Sequence, residues 1–273
     1  MQKQNKLKSV LLFSMLMASQ LLHGQDLIAI HSSLIPHPDS IWVFTPSAYT
    51  SNKGQLPAIY LLHGYSGSYR QWNDIIHLQP LADKYGFIII CPDGFSNAWY
   101  LNSPLEKDHQ YARFFFEKLM PEINQRYHVD TDKVFVDGLS MGGYGALHLF
   151  ITHPEKFLSA GAISGVVNLS GAGNHFGLPD LLGPLKTNQS IWKRYSVAGN
   201  LNKIASTGKT FIDDCGWGDP FFIMNEALRR ECDSLGINGT FISRPGGHNA
   251  HYWRESLPVH FFLFNTLLKK KSR

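Results

Sequence analysis

A strand-like run, Val134-Phe135-Val136, passes into Asp137-Gly138-Leu139-Ser140-Met141-Gly142-Gly143-Tyr144-Gly145 and then into the helix-compatible stretch Ala146-Leu147-His148-Leu149-Phe150. Strand, sharp turn and helix, with Gly138 and Gly142 flanking a serine, form the pattern of a nucleophile elbow. Small neighbours there let a strained turn push the serine hydroxyl above a sheet. Ser140 is therefore the candidate nucleophile, and its chemistry would be attack on a carbonyl carbon. A neutral hydroxyl is a poor nucleophile and needs a base, itself oriented by a carboxylate.

Where such an elbow opens a helix, the acid and the histidine follow the serine in that order. After the apolar pair Phe211-Ile212 comes Asp213-Asp214-Cys215-Gly216-Trp217-Gly218-Asp219-Pro220, and after Phe241-Ile242 comes Pro245-Gly246-Gly247-His248-Asn249. His248 is the favoured base, because its glycine-rich loop lets an imidazole reach back towards Ser140; His251 is the runner-up. Asp219, in the loop beyond its strand, is the favoured acid, with Asp213 and Asp214 read as orienting that loop or capping the helix that starts near Pro220. Backbone N–H donors for a developing oxyanion are expected from Met141 and from Tyr65, which follows the strand end Leu61-Leu62-His63-Gly64. His63 reads as a residue that holds this turn rather than a proton carrier.

These residues require elements to carry them. Apolar, β-branched or aromatic runs recur at Ile41 to Phe44, Ala58 to Leu62, Phe87 to Cys91, Val134 to Val136, Ala160 to Ile163, Phe211 to Ile212 and Phe241 to Ile242. Several are apolar throughout, as in strands covered on both faces. Helical spacing joins Tyr111, Phe114, Phe115, Leu119 and Ile123, and again Phe222, Asn225, Ala227, Leu228 and Cys232. The alternation predicts an α/β fold with a mostly parallel central sheet flanked by helices. Residues 164–200, rich in Gly and Pro and without a clear strand, are long for a connector and read as an insertion that is either a lid, a binding loop or a surface excursion.

The chain has 273 residues, 44% hydrophobic and 17% charged. That composition buries a large core and excludes disorder for most of the length. Lys3, Lys6 and Lys8 precede an apolar run from Val10 to Leu22, too short to span a membrane, which predicts a signal peptide over residues 1–24 with Gly24 at the cut. The expected location is the periplasm or the exterior, with no stable membrane insertion after cleavage. Subtracting those lysines takes the formal charge from +4 to +1, so no nucleic-acid footprint remains. The three cysteines form no framework; buried thiols are expected, with a Cys215–Cys232 pair the alternative. No His-x-x-x-His helix or cysteine pair suggests a metal.

The residues resemble the Putative esterase family of α/β hydrolases, which includes S-formylglutathione hydrolases, feruloyl esterase domains and mycolyltransferases. The resemblance runs through Leu62-His63-Gly64, Cys91-Pro92-Asp93-Gly94 with Trp99-Tyr100 and Asn102-Ser103-Pro104, Gly138 to Gly145, Cys215-Gly216 through Asp219, and Gly246-Gly247-His248 with Trp253. It implies the α/β-hydrolase fold, Ser140, Asp219 and His248 as a triad, Tyr65 and Met141 as the oxyanion hole, and ester hydrolysis or acyl transfer without metal or organic cofactor. Trp99 and Tyr100 either wall the substrate pocket or pack in the core. With an export signal, the substrate expected is a small-molecule or polysaccharide ester, such as an acetyl or feruloyl group on carbohydrate. An acyltransferase and an S-formylglutathione hydrolase-like thioesterase are the alternatives.

Overall fold

Period-two alternation in the central strands feeds two separate apolar cores. In the strand from Leu56 to Leu62, Ala58, Tyr60 and Leu62 enter one core while Ile59 and Leu61 enter the other, all fully buried. The same division holds for Ile88 and Ile90 against Ile89 and Cys91, and for Val134 and Val136 against Phe135. A strand buried on both faces must be sandwiched between helices.

The computed structural model describes residues 24–50 and 54–271. Its strands are β1 (Gln25–Ile30), β2 (Asp39–Phe44), β3 (Leu56–Leu62), β4 (Ile88–Pro92), β5 (Val129–Gly138), β6 (Ser159–Ile163), β7 (Thr210–Gly216) and β8 (Thr240–Arg244). They form one eight-stranded sheet in the order β1-β2-β4-β3-β5-β6-β7-β8. The β1–β2 and β2–β4 pairings are antiparallel, and those from β4 through β3, β5, β6 and β7 to β8 are parallel. All seven predicted strands are present. The one the sequence reading missed, β1, is an edge strand with mostly exposed residues, and so lacks the apolar run that marks the others. The expected signal peptide falls, but for Gly24, outside the described residues.

The helices are α1 (Gln71–Ile75), α2 (Gln79–Tyr85), α3 (Tyr111–Phe114), α4 (Met120–Tyr127), α5 (Met141–Thr152), α6 (Leu169–Ala172), α7 (Leu178–Leu182), α8 (Gln189–Tyr195), α9 (Phe222–Leu235) and α10 (Ala250–Lys271). Helices α1, α2 and α10 cover one face through Trp72, Ala82, Leu257, Phe261 and Phe264; α3, α4, α5 and α9 cover the other through Phe114, Ile123, Leu147 and Leu228. The predicted helix through Tyr111 and Ile123 contains a π-helical turn at Phe115–Leu119. Phe114 and Phe115 are both fully buried at its start. Residues 164–200 carry α6, α7 and α8 and no strand, as expected. None of the helices among the described residues is long and apolar enough to cross a membrane. All three cysteines are free and buried, so the Cys215–Cys232 alternative does not hold. Burial pushes the Cys232 thiol up to about 12 and the other two higher still.

Parallel pairing brings the carboxyl ends of β3 to β8 to one edge, where ligands collect in open α/β sheets. Asp39, at the start of β2, ties that edge to the loop after β4. Its Oδ1 accepts the backbone N–H groups of Asp93 (2.9 Å) and Gly94 (3.3 Å), and its Oδ2 accepts the Tyr111 hydroxyl at 2.5 Å. Burial outweighs these bonds and raises its pKa from 3.8 to about 7. The folded state therefore binds this proton more tightly than the unfolded chain does. The stability Asp39 gives is fully present below about pH 4 and is lost as pH rises towards 7. Asp39→Asn, which keeps the shape and can keep all three contacts, should flatten that part of the stability curve, as read from urea midpoints at several pH values. An unchanged slope would contradict this assignment.

Candidate active site

Ser140 stands between β5 and α5 with φ 54° and ψ −116°, a backbone conformation that non-glycine residues avoid and that costs about 1–3 kcal/mol. The turn is held from both sides. Leu139 N–H donates to Leu62 O on β3 (3.2 Å) and Ser140 N–H to Ile163 O on β6 (2.9 Å). Glycine is required on steric grounds at both flanks: a Cβ on Gly138 would sit 2.2 Å from Gly142 O, and one on Gly142 would sit 2.2 Å from Leu62 O. The helix thus packs backbone to backbone against β3, with the serine hydroxyl turned out of the core.

The acid and base loops close against each other beside this turn. Gly218 N–H donates to Gly246 O at 2.8 Å and Trp217 N–H to Arg244 O at 3.0 Å. His248 Nε2 lies 2.9 Å from Ser140 Oγ, and His248 Nδ1 lies 2.9 Å from Asp219 Oδ2. The Asp219 side chain is fully buried, and its Oδ1 accepts Phe221 N–H at 2.8 Å. The imidazole is gripped edge-on by Phe221 and Trp253, both with ring centroids 5.1 Å away. Trp253 is fixed in turn by donating to Ser164 Oγ at 3.2 Å.

His251, the alternative base, is exposed and lies beside Glu255 on α10. Asp213 and Asp214 do not cap α9; both are within β7, near its end, and buried. The start of α9 has no side-chain cap; Asp219 accepts the N–H of Phe221, the residue just before the helix. Burial, together with the nearby charges of Asp214 and Glu226, raises the Asp213 pKa well above the carboxylate range and favours its neutral form. Asp214 accepts the Tyr252 hydroxyl. His63 behaves as expected of a turn-holding residue: it is buried, its Nδ1 bonds to Gly64 O at 2.7 Å, and burial lowers its pKa to about 4, leaving the ring neutral.

The amides next to Tyr65 are consumed locally. Gly64 N–H donates to Gln71 Oε1, Ser66 N–H to Ser96 O and Gly67 N–H to Gly64 O. Tyr65 N–H is absent from this set, and Met141 begins α5, where the first N–H groups have no intrahelical acceptor.

Ser140 and His248 open into a cavity of about 280 Å³ whose other walls include Tyr65, Trp99, Val166, Phe176, Phe221 and Trp253. Trp99 lines it as the pocket reading requires. Tyr100 does not: it is fully buried, donates from its hydroxyl to His63 O at 3.1 Å, and fills the space above Gly94 and Gly145. Consecutive left-handed residues, Trp99 at φ 52° and Tyr100 at φ 53°, send the two rings to different places. Val166 and Phe176 come from residues 164–200, which the sequence marked only by glycine and proline content. Phe176 meets Tyr65 edge-on at 5.4 Å across the cavity, and its carbonyl accepts the Trp99 indole N–H at 2.9 Å. A larger open groove, about 780 Å³, is lined by Asn168, Lys193 and Glu231 and contains neither Ser140 nor His248.

The family model described as Putative esterase matches residues 32–263. The chain belongs to this family. It is 26% identical over 219 residues to an acetyl esterase from Caldicellulosiruptor saccharolyticus, covering 73% of this chain and 80% of that protein. It is 32% identical over 143 residues to feruloyl esterase B from Neurospora crassa, covering 50% of this chain and 48% of that one. Among solved structures, an S-formylglutathione hydrolase from Agrobacterium tumefaciens superposes with a TM-score of 0.79 at 19% identity, over 91% of this chain and 97% of the other. That likeness establishes the α/β-hydrolase fold. The protein is accordingly a serine-hydrolase-type esterase that acts on esters.

Gly142→Ala should lower stability by about 3 kcal/mol or more, a fall of about 6–12 °C in Tm, because its Cβ meets a strand carbonyl that cannot move alone. A melting temperature equal to that of the parent would show that the elbow tolerates the separation.

Proposed function

We propose that Ser140 is the nucleophile, His248 the general base and Asp219 the carboxylate that orients it. The observation that carries this reading is the continuous line from Ser140 Oγ through His248 to the buried Asp219, both links at 2.9 Å. With its Nδ1 proton directed at Asp219, His248 presents the Nε2 lone pair to the Ser140 hydroxyl. It takes that proton as Oγ attacks the ester carbonyl carbon. The carbonyl oxygen becomes an oxyanion, stabilised by the N–H groups of Tyr65 and Met141. Collapse expels the alcohol, which leaves with the proton from His248, and an acyl-enzyme on Ser140 remains. Water, deprotonated by the same imidazole, then releases the carboxylic acid.

The substrate class that fits best is a short acyl or feruloyl ester of a carbohydrate. A cavity walled mainly by aromatic and aliphatic side chains suits the acyl group, and the acetyl and feruloyl esterase relatives favour the same choice. Residues 1–24 are assigned as an export signal on their lysines and apolar run, placing the enzyme in the periplasm or outside the cell. Residues 164–200 are assigned as a substrate-binding insertion within one domain spanning 25–273, on the strength of Val166 and Phe176 in the cavity wall. The solved S-formylglutathione hydrolase supports a thioester as the second reading.

The deciding experiment assays the chain from Gln25 on p-nitrophenyl acetate and butyrate, methyl ferulate, acetylated xylan and S-formylglutathione, with Ser140→Ala alongside. Ser140→Ala should fall to background and Asp219→Asn by about 10⁴-fold in kcat, both with unchanged circular dichroism. Undiminished turnover by Ser140→Ala would overturn the triad, and preference for the thioester would select the second reading. Phe176→Ala should raise kcat/KM for methyl ferulate relative to p-nitrophenyl acetate by about tenfold, since it opens the wall opposite Tyr65. Identical ratios across the panel would remove the insertion from substrate selection.

A further inference from the structure

A second histidine lies inside the protein with carboxylates at both ring nitrogens. His260, on α10, and Asp137, three residues before Ser140, are both fully buried, with His260 Nδ1 2.7 Å from Asp137 Oδ2. Asp137 Oδ1 accepts the N–H of Gly138, the first glycine of the elbow, at 2.7 Å. Gly161 on β6 leaves room for this carboxylate; a Cβ there would lie 2.6 Å from it. On the opposite side of the ring, His260 Nε2 is 3.8 Å from Asp214 Oδ2, and neither atom has a hydrogen-bond partner among the described residues. Burial disfavours the charged ring, but the charge and hydrogen bond of Asp137, joined by the charge of Asp214, outweigh it and raise the His260 pKa.

Asp214 reaches the base loop by two routes. Its Oδ1 accepts the Tyr252 hydroxyl, and the Tyr252 ring fills the space over Gly246 and Gly216, where an added Cβ would come within 2.1 Å and 3.0 Å of it. The Arg244 guanidinium lies over the other part of this ring at 3.9 Å, and Tyr252 N–H donates to Asn249 Oδ1 beside His248. By the second route, Asp214 O accepts Ser164 N–H at 2.7 Å, and Ser164 Oγ accepts from Trp253, which grips His248. A buried polar chain, hydrogen-bonded except at the 3.8 Å step between His260 and Asp214, thus runs from beneath Ser140 to the elements that hold His248.

We propose that His260, bridging Asp137 and Asp214, is a positioning residue that sets the Ser140 turn and the His248 loop in register. The assignment rests on the triad proposed above. His260 touches no substrate; it acts by fixing two elements whose hydroxyl and imidazole must stay within hydrogen-bond reach, where small displacements are costly in rate. A buried pair with only a folding role behaves differently. Removing one partner strands the other charge, and removing both in favour of neutral groups restores stability.

The test compares the chain from Gln25 with His260→Leu, His260→Asn and the double variant Asp137→Asn/His260→Leu. The readouts are kcat and KM on p-nitrophenyl acetate, the rate of covalent labelling by a fluorophosphonate, and melting temperature, with kinetics taken well below each melting point. His260→Leu should lose about tenfold in both kcat and labelling rate with KM within twofold. The double variant should regain melting temperature but not rate. His260→Asn keeps a donor towards Asp137 while losing the reach to Asp214, so it stays folded if His260→Leu does not, and it should show the same rate loss. A double variant that regains rate together with stability, or a folded His260→Asn with parent kinetics, overturns the assignment. Ser140→Ala in the same series separates the two readings: if it is inactive and unlabelled while the His260 variants match the parent, only the positioning role fails; if it keeps full turnover, the triad fails and the positioning role with it.

Discussion

The strained backbone at Ser140 is the constraint on which the site depends. A residue with positive φ between a buried strand and a buried helix persists only because its surroundings leave it no alternative. Here β3 and β6 accept the flanking amides, and two glycines allow the helix backbone to approach β3 more closely than any side chain would permit. The strain holds the hydroxyl out of the core and at the mouth of the cavity. It also places the first N–H of α5, without an intrahelical acceptor, directly after the serine.

That constraint determines what the rest of the fold has to do. A serine fixed by the central strands can be served only by groups delivered from neighbouring strand ends, and the parallel order β3-β5-β6-β7-β8 delivers them in turn. The loops that carry Asp219 and His248 are hydrogen-bonded to each other, which holds the two side chains in one arrangement. Two aromatic rings set the plane of the imidazole, and the insertion between β6 and β7 closes the cavity wall with Phe176.

Beneath the site the protein buries several carboxylates, an arrangement that costs free energy unless each has a partner. Asp39 is satisfied by two amides and a phenol and Asp137 by an amide and an imidazole, while Asp214 is bonded at Oδ1 by a phenol and meets only the His260 ring, at 3.8 Å, at Oδ2. Asp213 lacks a partner at Oδ1, and burial raises its pKa. Asp137 lies just before the Ser140 turn, and Asp214 bonds Tyr252, next to Trp253 of the cavity wall, so these two carboxylates link the polar interior to the geometry of the site.

Much of this was legible in the chain. The seven apolar runs became strands because burial on both faces leaves a continuous apolar signature, while edge strand β1, wetted by solvent, left none. The elbow was legible because glycines flank Ser140 at a fixed spacing between a strand-like and a helix-like run, although the contact that demands Gly142 comes from Leu62 on β3. The positions of Asp219 and His248 followed from their placement after strands, and a likeness to esterases sharpened the choice. Distances across the fold were not legible. Ser140 and His248 are 108 residues apart in sequence, and Trp99 and Tyr100, adjacent in sequence, part company at a pair of left-handed residues. The contact of Phe176 with Tyr65 and the bridge of His260 between Asp137 and Asp214 carry no motif. Sequence alone determined element order, the strained serine turn and the loops that carry reactive groups, since these depend on local sterics and on burial periodicity. Tertiary structure decided which side chains meet, because that depends on sheet order, strand twist and the packing of helices over both faces, which no local pattern encodes.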